Sequence, residues 1–343
     1  MKHLLNTLYV TTEDAYASLD GENVVVKKKE HELGRYPLHI LQGIYLFTYA
    51  GASPKLIGKC VEDGIDLVLF TPQGKFLARA TGRSHGNVLL RRQQYRYADD
   101  PVKTAVIAGS FVFGKIYNGR QVINHFKRNH MLQVDSNKFD AICGYMKTIL
   151  TEIGKQTDVD VIRGYEGTAA RLYFGVFDDM VLQKKDVFYF MERNRRLPLD
   201  RVNALLSYVY TLCGTECASA LEAAGLDSYV GFLHTDKPGR TSLAQDLLEE
   251  LRPCMCDRFV IKLINDRCIK AEDFEEQANG AVLISAEGRR KVLKEWKERK
   301  ETMVMHPYLK EKVEWGMIPY VQAILLARYI RGDIDGYPPF LYR

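Results

Sequence analysis

The feature that most constrains the fold of this chain is a change in hydrophobic patterning near residue 82. Before it, short apolar runs are separated by turn signals, as at Asp20-Gly21 and within the strand–turn–strand pattern at 66–78. Asp-Gly between two apolar runs is a strong hairpin signal, because glycine accepts the positive φ that a tight turn needs. With one short helix predicted at 53–62, these runs indicate a small sandwich or rolled sheet.

Beyond residue 82 the apolar positions recur with a helical period to near the end of the chain. We therefore predict an α+β protein: a small N-terminal β-sandwich domain over residues 1–82, then a large all-α C-terminal domain over 83–343. We expect the apolar tail at 336–343 to lie on its own domain, although a partner could also bind it. The predicted helices cover residues 87–96, 101–129, 136–155, 159–180, 200–224, 242–263, 286–300 and 318–331.

The overall composition permits several classes of partner. The chain carries 48 Lys and Arg against 43 Asp and Glu, so it is mildly basic, and any contact with nucleic acid should be made by local patches. Seven cysteines follow no disulfide or zinc spacing, which predicts reduced thiols in a cytoplasmic protein. No run has the length of a signal peptide or a membrane span, and we expect no association with membranes.

Residues 164–171 (Gly-Tyr-Glu-Gly-Thr-Ala-Ala-Arg) interrupt a predicted helix. Each glycine there costs about 1 kcal/mol relative to alanine, and such a broken rule often marks a functional or close-packed position. The small side chains would let another helix or a nucleic-acid backbone approach closely, with Glu166 between them. A packing pair of glycines beside an exposed glutamate would give the same pattern, so both interpretations remain open.

His234 ends a short apolar run and precedes a Pro-Gly turn. A histidine at such a boundary can ligate a metal, act as a base, or hold a loop through a hydrogen bond, and the last role is the usual one. Lys237 and Arg240 add positive charge beside it, which suits the binding of phosphate.

The next predicted helix carries three acids, Asp246, Glu249 and Glu250, which helical spacing places on one face, with leucines on the buried side. A clustered acidic face is usually a solvated one. A divalent cation would relieve the repulsion between the carboxylates, and carboxylate with imidazole ligands suits Mn²⁺ or Mg²⁺. The spacing alone does not decide between a solvated face and a metal site.

Taken in order, these segments resemble one protein family over essentially the whole chain. Residues 163–171 resemble its glutamate motif, and residues 231–253 resemble its histidine and acidic motifs joined. Residues 203–207 (Asn-Ala-Leu-Leu-Ser) match a third signature, while segments 4–10 and 19–24 are similar to the type I-C branch. By these motifs the sequence resembles the CRISPR-associated protein one family, the integrase of CRISPR adaptation.

The resemblance implies a β-sandwich that forms a homodimer and a helical catalytic domain that holds one divalent ion, Mg²⁺ or Mn²⁺. The ligands and catalytic residues it implies are Glu166, His234 and Glu249, although many relatives carry aspartate where Glu249 stands. Asp246 would be a secondary acid, either a weaker ligand or a group that supports the ligands.

The same motifs supply further candidate residues. Lys237, Arg240 and Arg252 are candidates for contacts with DNA phosphates. Tyr165 and Asn203 belong to two of the motifs, and we expect them to support the site.

The activity implied by the resemblance is phosphoryl transfer on double-stranded DNA, in which a spacer 3′-OH attacks a phosphodiester at the edge of a CRISPR repeat. The resemblance also implies an assembly in which two dimers flank a dimer of CRISPR-associated protein two. Two alternatives remain open. A metal-dependent nuclease for branched DNA in repair would share every site residue, whereas a DNA-binding scaffold without catalysis would have no need of a metal at Glu166 and Glu249.

Overall fold

The computed structural model describes residues 7–80, 88–183, 185–194 and 198–343. Its N-terminal part contains two sheets, and the α+β class is confirmed. The strands are β1 (Thr7–Val10), β2 (Tyr16–Asp20), β3 (Asn23–Lys28), β4 (His31–Pro37), β5 (Gly43–Phe47), β6 (Asp66–Phe70) and β7 (Phe76–Arg79). One sheet has the order β1-β5-β6-β7 and the other the order β2-β3-β4.

The predicted turns lie where the glycines indicate them. Gly21 has a φ of 58° between β2 and β3, and Gly74 has a φ of 90° between β6 and β7. Both hairpins are antiparallel, whereas β5 and β6 are parallel and need a crossover. Helix α1 (Pro54–Asp63) provides it, and the Ser53 side chain caps its start by accepting a hydrogen bond from the Leu56 amide. The helix predicted at 53–62 is therefore confirmed.

Strand β5 connects the sheets to the rest of the molecule, because it is buried on both faces. Ile44 and Leu46 face a small core shared by the two sheets and α1. Tyr45 and Phe47 face the opposite way and belong to the core of the helical part, where the Phe47 ring lies 6.5 Å from that of Tyr208. Because successive side chains of a strand point to opposite faces, β5 contributes side chains to both cores.

The C-terminal part is mainly helical. Its helices are α2 (Val88–Ala98), α3 (Pro101–Asn129), α4 (Ser136–Ile153), α5 (Val159–Phe174), α6 (Arg201–Ala223), α7 (Ser242–Leu251), α8 (Arg258–Asn265), α9 (Ala286–Glu301) and α10 (Ile318–Arg331). Helix α3 is central, because it packs against α4, α5 and α7. Its start is fixed by Pro101 and by Asp100, whose carboxylate accepts hydrogen bonds from two amides of the first turn. None of the helices in the described part has the length and apolar character needed to cross a membrane.

Three predictions differ from the structure. The C-terminal part is not purely helical, because β8 (Phe274–Glu276) pairs with β9 (Val282–Ile284), and β10 (Met303–Met305) pairs with β11 (Lys312–Glu314). The predicted helix 242–263 is divided by a wider, π-type turn over Arg252–Asp257, at a proline that has no N–H to donate. The predicted helix 159–180 ends at Phe174, before a glycine. The predicted domain boundary at 82 and helix start at 87 lie outside the described residues.

The C-terminal tail lies on its own domain. Tyr337, Phe340 and Tyr342 are buried. The Asn118 side chain of α3 donates a hydrogen bond to the Phe340 carbonyl at 2.8 Å and accepts one from the Tyr342 amide at 2.8 Å. The tail therefore covers the core of the helical part next to α3 and α7.

Candidate functional site

Three helices bring one ammonium and two carboxylates together at the centre of the helical part. Lys115 of α3 forms an ion pair with Glu166 Oε1 of α5, and its Nζ lies 2.7 Å from Glu249 Oε2 of α7. The side chains are 13% (Lys115), 24% (Glu166) and 4% (Glu249) exposed. Glu166 is therefore not a freely solvated glutamate, and the three groups form one polar centre.

The glycines beside Glu166 do not pack against another element. A Cβ added at Gly164 or Gly167 would meet no atom of the described residues within 4 Å. The two glycines are therefore not a close-packed pair, although Ala169 of the same segment is buried in the main core, and bare backbone lies on an open face of α5. This face lies on a different side of α5 from Glu166, because Gly167 and Gly164 stand about 100° and 160° around the helix from that residue.

Asp246 holds the loop that carries His234. Its fully buried carboxylate accepts hydrogen bonds from the amides of Phe232 (2.6 Å), Leu233 (2.9 Å) and His234 (2.9 Å). Gly231 starts this loop, and a Cβ there would lie only 2.8 Å from the His234 carbonyl oxygen, so the tight loop needs glycine at that position.

The same carboxylate fixes the ring of His234. Asp246 Oδ1 lies 2.7 Å from His234 Nδ1, so that nitrogen donates its hydrogen to the carboxylate. The lone pair of Nε2 then faces Glu249, whose Oε1 lies 3.8 Å away. Asp246 has its oxygens occupied by these four donors, so it orients the histidine rather than presenting a free ligand.

Glu249 is buried among positive charges. Arg252 Nη1 lies 2.9 Å from Glu249 Oε1, on the side opposite Lys115. Burial by itself raises the pKa of Glu249, but the charges of Arg252 and Lys115 outweigh it and hold that pKa well below its ordinary value. Glu249 is thus an ionised carboxylate in a nearly dry site.

The predicted acidic face does not exist as a solvated surface, because Asp246, Glu249 and Glu250 are all buried. Glu250 points away from the other two acids and accepts hydrogen bonds from Gln322 Nε2 (2.8 Å) and Tyr337 Oη (2.9 Å). Burial raises the pKa of Glu250 to about 8, as expected for a carboxyl group without a cationic partner. Glu250 therefore supports the C-terminal tail.

The phosphate candidates occupy different environments. Lys237 is exposed on the loop after His234, while Arg240 folds back onto that loop, donating to the Thr235 carbonyl and lying 3.3 Å from Ser242 Oγ. The guanidinium of Arg252 is buried between Glu249 and the Tyr210 ring, whose centroid lies 4.9 Å away.

Asn203 and Tyr165 are the two residues that the sequence predicts to support the site. Asn203 is buried and accepts hydrogen bonds from Arg193 Nη1 (2.7 Å) and from the Asn194 amide (3.0 Å). Arg193 lies over one side of the Tyr210 ring, the ring that Arg252 also contacts, so Asn203 connects to the site through this stack. Tyr165 is half-buried and packs against the main core.

The side chains fit a hard divalent cation, although in the described parts of the chain no three His, Cys, Asp or Glu side chains stand ready to hold a metal ion. Two carboxylates and one oriented imidazole are the donor set that Mg²⁺ or Mn²⁺ accepts. Glu249 Oε2 is buried, makes no well-aligned hydrogen bond to a described residue, and faces the position of the Lys115 ammonium. Glu166, His234 and Glu249 would be the ligands.

Lys115 was not identified from the sequence. It is one of several basic residues in the 29-residue helix α3, and it belongs to no motif. The available signal was that a cation in the middle of a largely buried helix needs an anionic partner.

Comparison with known proteins places the chain in a family. The family model described as CRISPR associated protein Cas1 matches residues 8–298. The chain is 45% identical over 343 residues to CRISPR-associated endonuclease Cas1 1 of Chlorobaculum tepidum, covering 100% of both. A casposase bound to integration product has a TM-score of 0.83 at 23% identity, over 98% of this chain and 94% of that one. A Cas6-RT-Cas1–Cas2 complex has a TM-score of 0.80 at 22% identity, over 99% of this chain and 36% of that one.

Proposed function

The chain belongs to the Cas1 family of CRISPR-associated proteins, and on that premise we propose that it is a metal-dependent DNA integrase and endonuclease of CRISPR adaptation. Its assignment as an endonuclease rests on relatives that match over their whole length. The observation that carries the mechanistic proposal is the convergence of Glu166, His234 and Glu249 from separate segments of the chain.

The proposed reaction is transesterification. A spacer 3′-OH attacks the phosphorus of a repeat phosphodiester, so that one phosphorus–oxygen bond forms, another breaks, and a new 3′-OH leaves. Water as the nucleophile gives strand cleavage instead. A bound Mg²⁺ or Mn²⁺ ion would polarise the scissile phosphate and stabilise the charge that develops on it.

The protein groups have distinct tasks in this proposal. Asp246 presents the Nε2 lone pair of His234, and Arg252 holds Glu249 ionised in a nearly dry site. The Glu166 side chain is 24% exposed, which leaves it open to the approach of a DNA backbone. Lys237, exposed beside His234, contacts a flanking phosphate.

The proposed partners are double-stranded DNA, a second copy of the chain and CRISPR-associated protein two. The casposase with integration product and the complex that contains Cas2 support the first and the third, because their folds match this one. We propose that the homodimer forms through the N-terminal sheets and that the protein works in the cytoplasm, where its seven free cysteines would stay reduced. Affiliation with the type I-C branch is also a proposal, and residues 4–6 of its first segment lie outside the described residues.

A strand-transfer assay tests the proposal. Full-length protein and its Cas2 partner are mixed with a short duplex bearing 3′-OH ends, a plasmid with the CRISPR repeat, and Mn²⁺ or Mg²⁺. We expect joined products from the wild type and from the control Glu298→Ala, an exposed glutamate of α9. We expect a loss of at least about 100-fold in Glu166→Ala and His234→Ala, with unchanged circular dichroism, because each change removes a proposed metal ligand.

The alternatives predict different products. Normal joining by either alanine variant would refute the site assignment. Cleavage without joining would indicate a nuclease for branched DNA, and a wild type that binds DNA but neither metal nor products would indicate a scaffold.

A further inference from the structure

Lys115 is the one cation that contacts both carboxylates of the candidate metal site among the described residues. Its Nζ pairs with Glu166 Oε1 and lies 2.7 Å from Glu249 Oε2, and its side chain is nearly buried. It comes from α3, whereas the proposed ligands lie on α5, on α7 and on the loop before α7. An ammonium in this position neutralises two acids that would otherwise repel each other.

An ammonium and a divalent ion cannot occupy this position together. Mg²⁺ binds carboxylate oxygens at about 2.0–2.1 Å, so an ion held by Glu166 and Glu249 would lie within the space that the ammonium fills. The two cations would also repel each other strongly in a site of low dielectric constant. Binding of the metal therefore requires that both ion pairs of Lys115 break.

The side chain of Lys115 has room to move. It lines a cavity of about 40 Å³ together with Arg193, Arg252 and Asp257, which is room for a few waters. The four-carbon stem of lysine is flexible and can redirect its charge. Asp257 in the cavity wall accepts a hydrogen bond from the Tyr210 hydroxyl, and its carboxylate offsets part of the positive charge around the cavity.

We propose that Lys115 is an internal counter-cation, a positioning residue that holds Glu166 and Glu249 together without metal and is displaced when a divalent ion binds. This inference rests on the metal site of the proposed function. Lys115 then limits the affinity of the site for the metal, because the ion must displace a positive charge that is attached to the chain. The three ligands would bind the ion more tightly if this ammonium were absent. Removing the charge should therefore strengthen metal binding.

The test measures metal binding by the full-length protein without DNA. Mn²⁺ is titrated calorimetrically into the wild type, Lys115→Met, Lys115→Gln, Glu166→Ala and the control Lys147→Met, an exposed lysine of α4. We expect a Kd about tenfold lower in Lys115→Met and in Lys115→Gln, because the competing charge is gone. We expect Lys147→Met to bind as the wild type does and Glu166→Ala to bind far more weakly.

Thermal unfolding supplies a second readout. In EDTA we expect a lower Tm for Lys115→Met than for the wild type, because Glu249 then lies buried beside an unpaired Glu166. Mn²⁺ should raise the Tm of the variant more than that of the wild type. Lys115→Gln, whose amide can still donate to a carboxylate, covers the case in which the methionine variant does not fold.

The outcomes separate this inference from the proposed function. If the wild type binds Mn²⁺ and Glu166→Ala does not, but the Lys115 variants bind no more tightly than the wild type, the counter-cation is refuted and the metal site stands. If the wild type binds no Mn²⁺, the metal-dependent function is refuted and the inference falls with it.

Discussion

At the scale of single residues, the site depends on one carboxylate, that of Asp246, whose two oxygens are both occupied by hydrogen bonds. Asp246 accepts four hydrogen bonds, three from backbone amides and one from the His234 ring. Each hydrogen bond to a buried charged group contributes about 1.5–3 kcal/mol, and the loss of an acceptor leaves buried donors unsatisfied. The loop and the orientation of the histidine are therefore set together by one side chain.

Replacement of Asp246 by asparagine should consequently affect both stability and activity. One oxygen becomes an NH₂ group that faces either backbone N–H groups or the His234 ring, so we expect a decrease of about 2–4 kcal/mol in the free energy of unfolding. DNA joining should fall at the same time, because His234 loses its fixed orientation. Urea denaturation and the strand-transfer assay measure the two effects.

Asp236→Asn is the matched control for this change. Asp236 lies in the same loop and accepts one hydrogen bond, from the Gly231 amide, but it is exposed. We expect its unfolding free energy to stay within about 1 kcal/mol of the wild type. Equal losses in both variants would show that the Asp246 network is not the cause.

The same scale shows what the sequence could predict about the site. Glu166, His234 and Glu249 lie in motifs that follow one another along the chain in a recognisable order, so the sequence alone identifies them as candidates. Lys115 and the separation of Glu250 from Glu249 could not be named, because both depend on which helix packs against which side of α7. Neighbours in sequence such as Glu249 and Glu250 point about 100° apart on a helix, and only packing decides what each one meets.

At the scale of elements, local sequence signals correctly predict where two of the helices begin and end. Helices α3 and α10 begin and end where the sequence predicts, because proline and a capping aspartate start α3 and a left-handed glycine ends α10. The strands β8–β11 were missed because each has three residues, too few to show an alternating pattern. The π-type turn after α7 was missed because a proline can also be tolerated within a kinked helix.

A change at Asn118 of α3 can test how the C-terminal tail is attached to the helical part. Its Nδ2 donates to the Glu250 carbonyl (2.7 Å) and to the Phe340 carbonyl, and its Oδ1 accepts from the Tyr342 amide. We expect Asn118→Ala to lower the free energy of unfolding by about 3 kcal/mol, since three buried hydrogen bonds are lost. Hydrogen exchange at the Tyr342 amide should become faster, which mass spectrometry of the C-terminal peptide measures.

Asn124→Ala on the same helix is the control, because it makes the same change at a partly buried position for which no hydrogen bond to the tail is found among the described residues. Both variants gain the same helix propensity, so the difference between them isolates the contacts with the tail. Unchanged exchange in Asn118→Ala would mean that the aromatic residues of the tail hold it without this asparagine.

At the scale of the whole molecule, a buried ion pair between two helices of the C-terminal part lies against the first sheet. Lys300 Nζ of α9 lies 2.8 Å from Glu216 Oε1 of α6 and 3.4 Å from Thr7 Oγ1 of β1. Burial lowers the pKa of Lys300, but the charge of Glu216 and their hydrogen bond raise it above its ordinary value. The ammonium therefore stays charged at the junction of the two parts.

A double-mutant cycle tests how strongly this pair couples α6 with α9 beside the sheet. Glu216→Gln or Lys300→Met alone leaves one buried charge without its partner, and we expect each to cost about 3–5 kcal/mol of unfolding free energy. The double variant should cost much less than the sum, because no unpaired charge remains and the glutamine can still accept the hydrogen bond of Trp296 Nε1. Urea denaturation of the four proteins gives the coupling energy.

The exposed pair Lys294 and Glu298 of α9, at 4.0 Å, should show no measurable coupling in a parallel cycle. A strong coupling at Glu216 and Lys300 would mean that the ion pair stabilises the packing of α6 against α9, and a single cooperative transition would mean that the sheets and the helical part unfold as one unit. Additive costs would mean that the two charges contribute independently of each other, and two separate transitions would mean that the sheets unfold independently of the helical part.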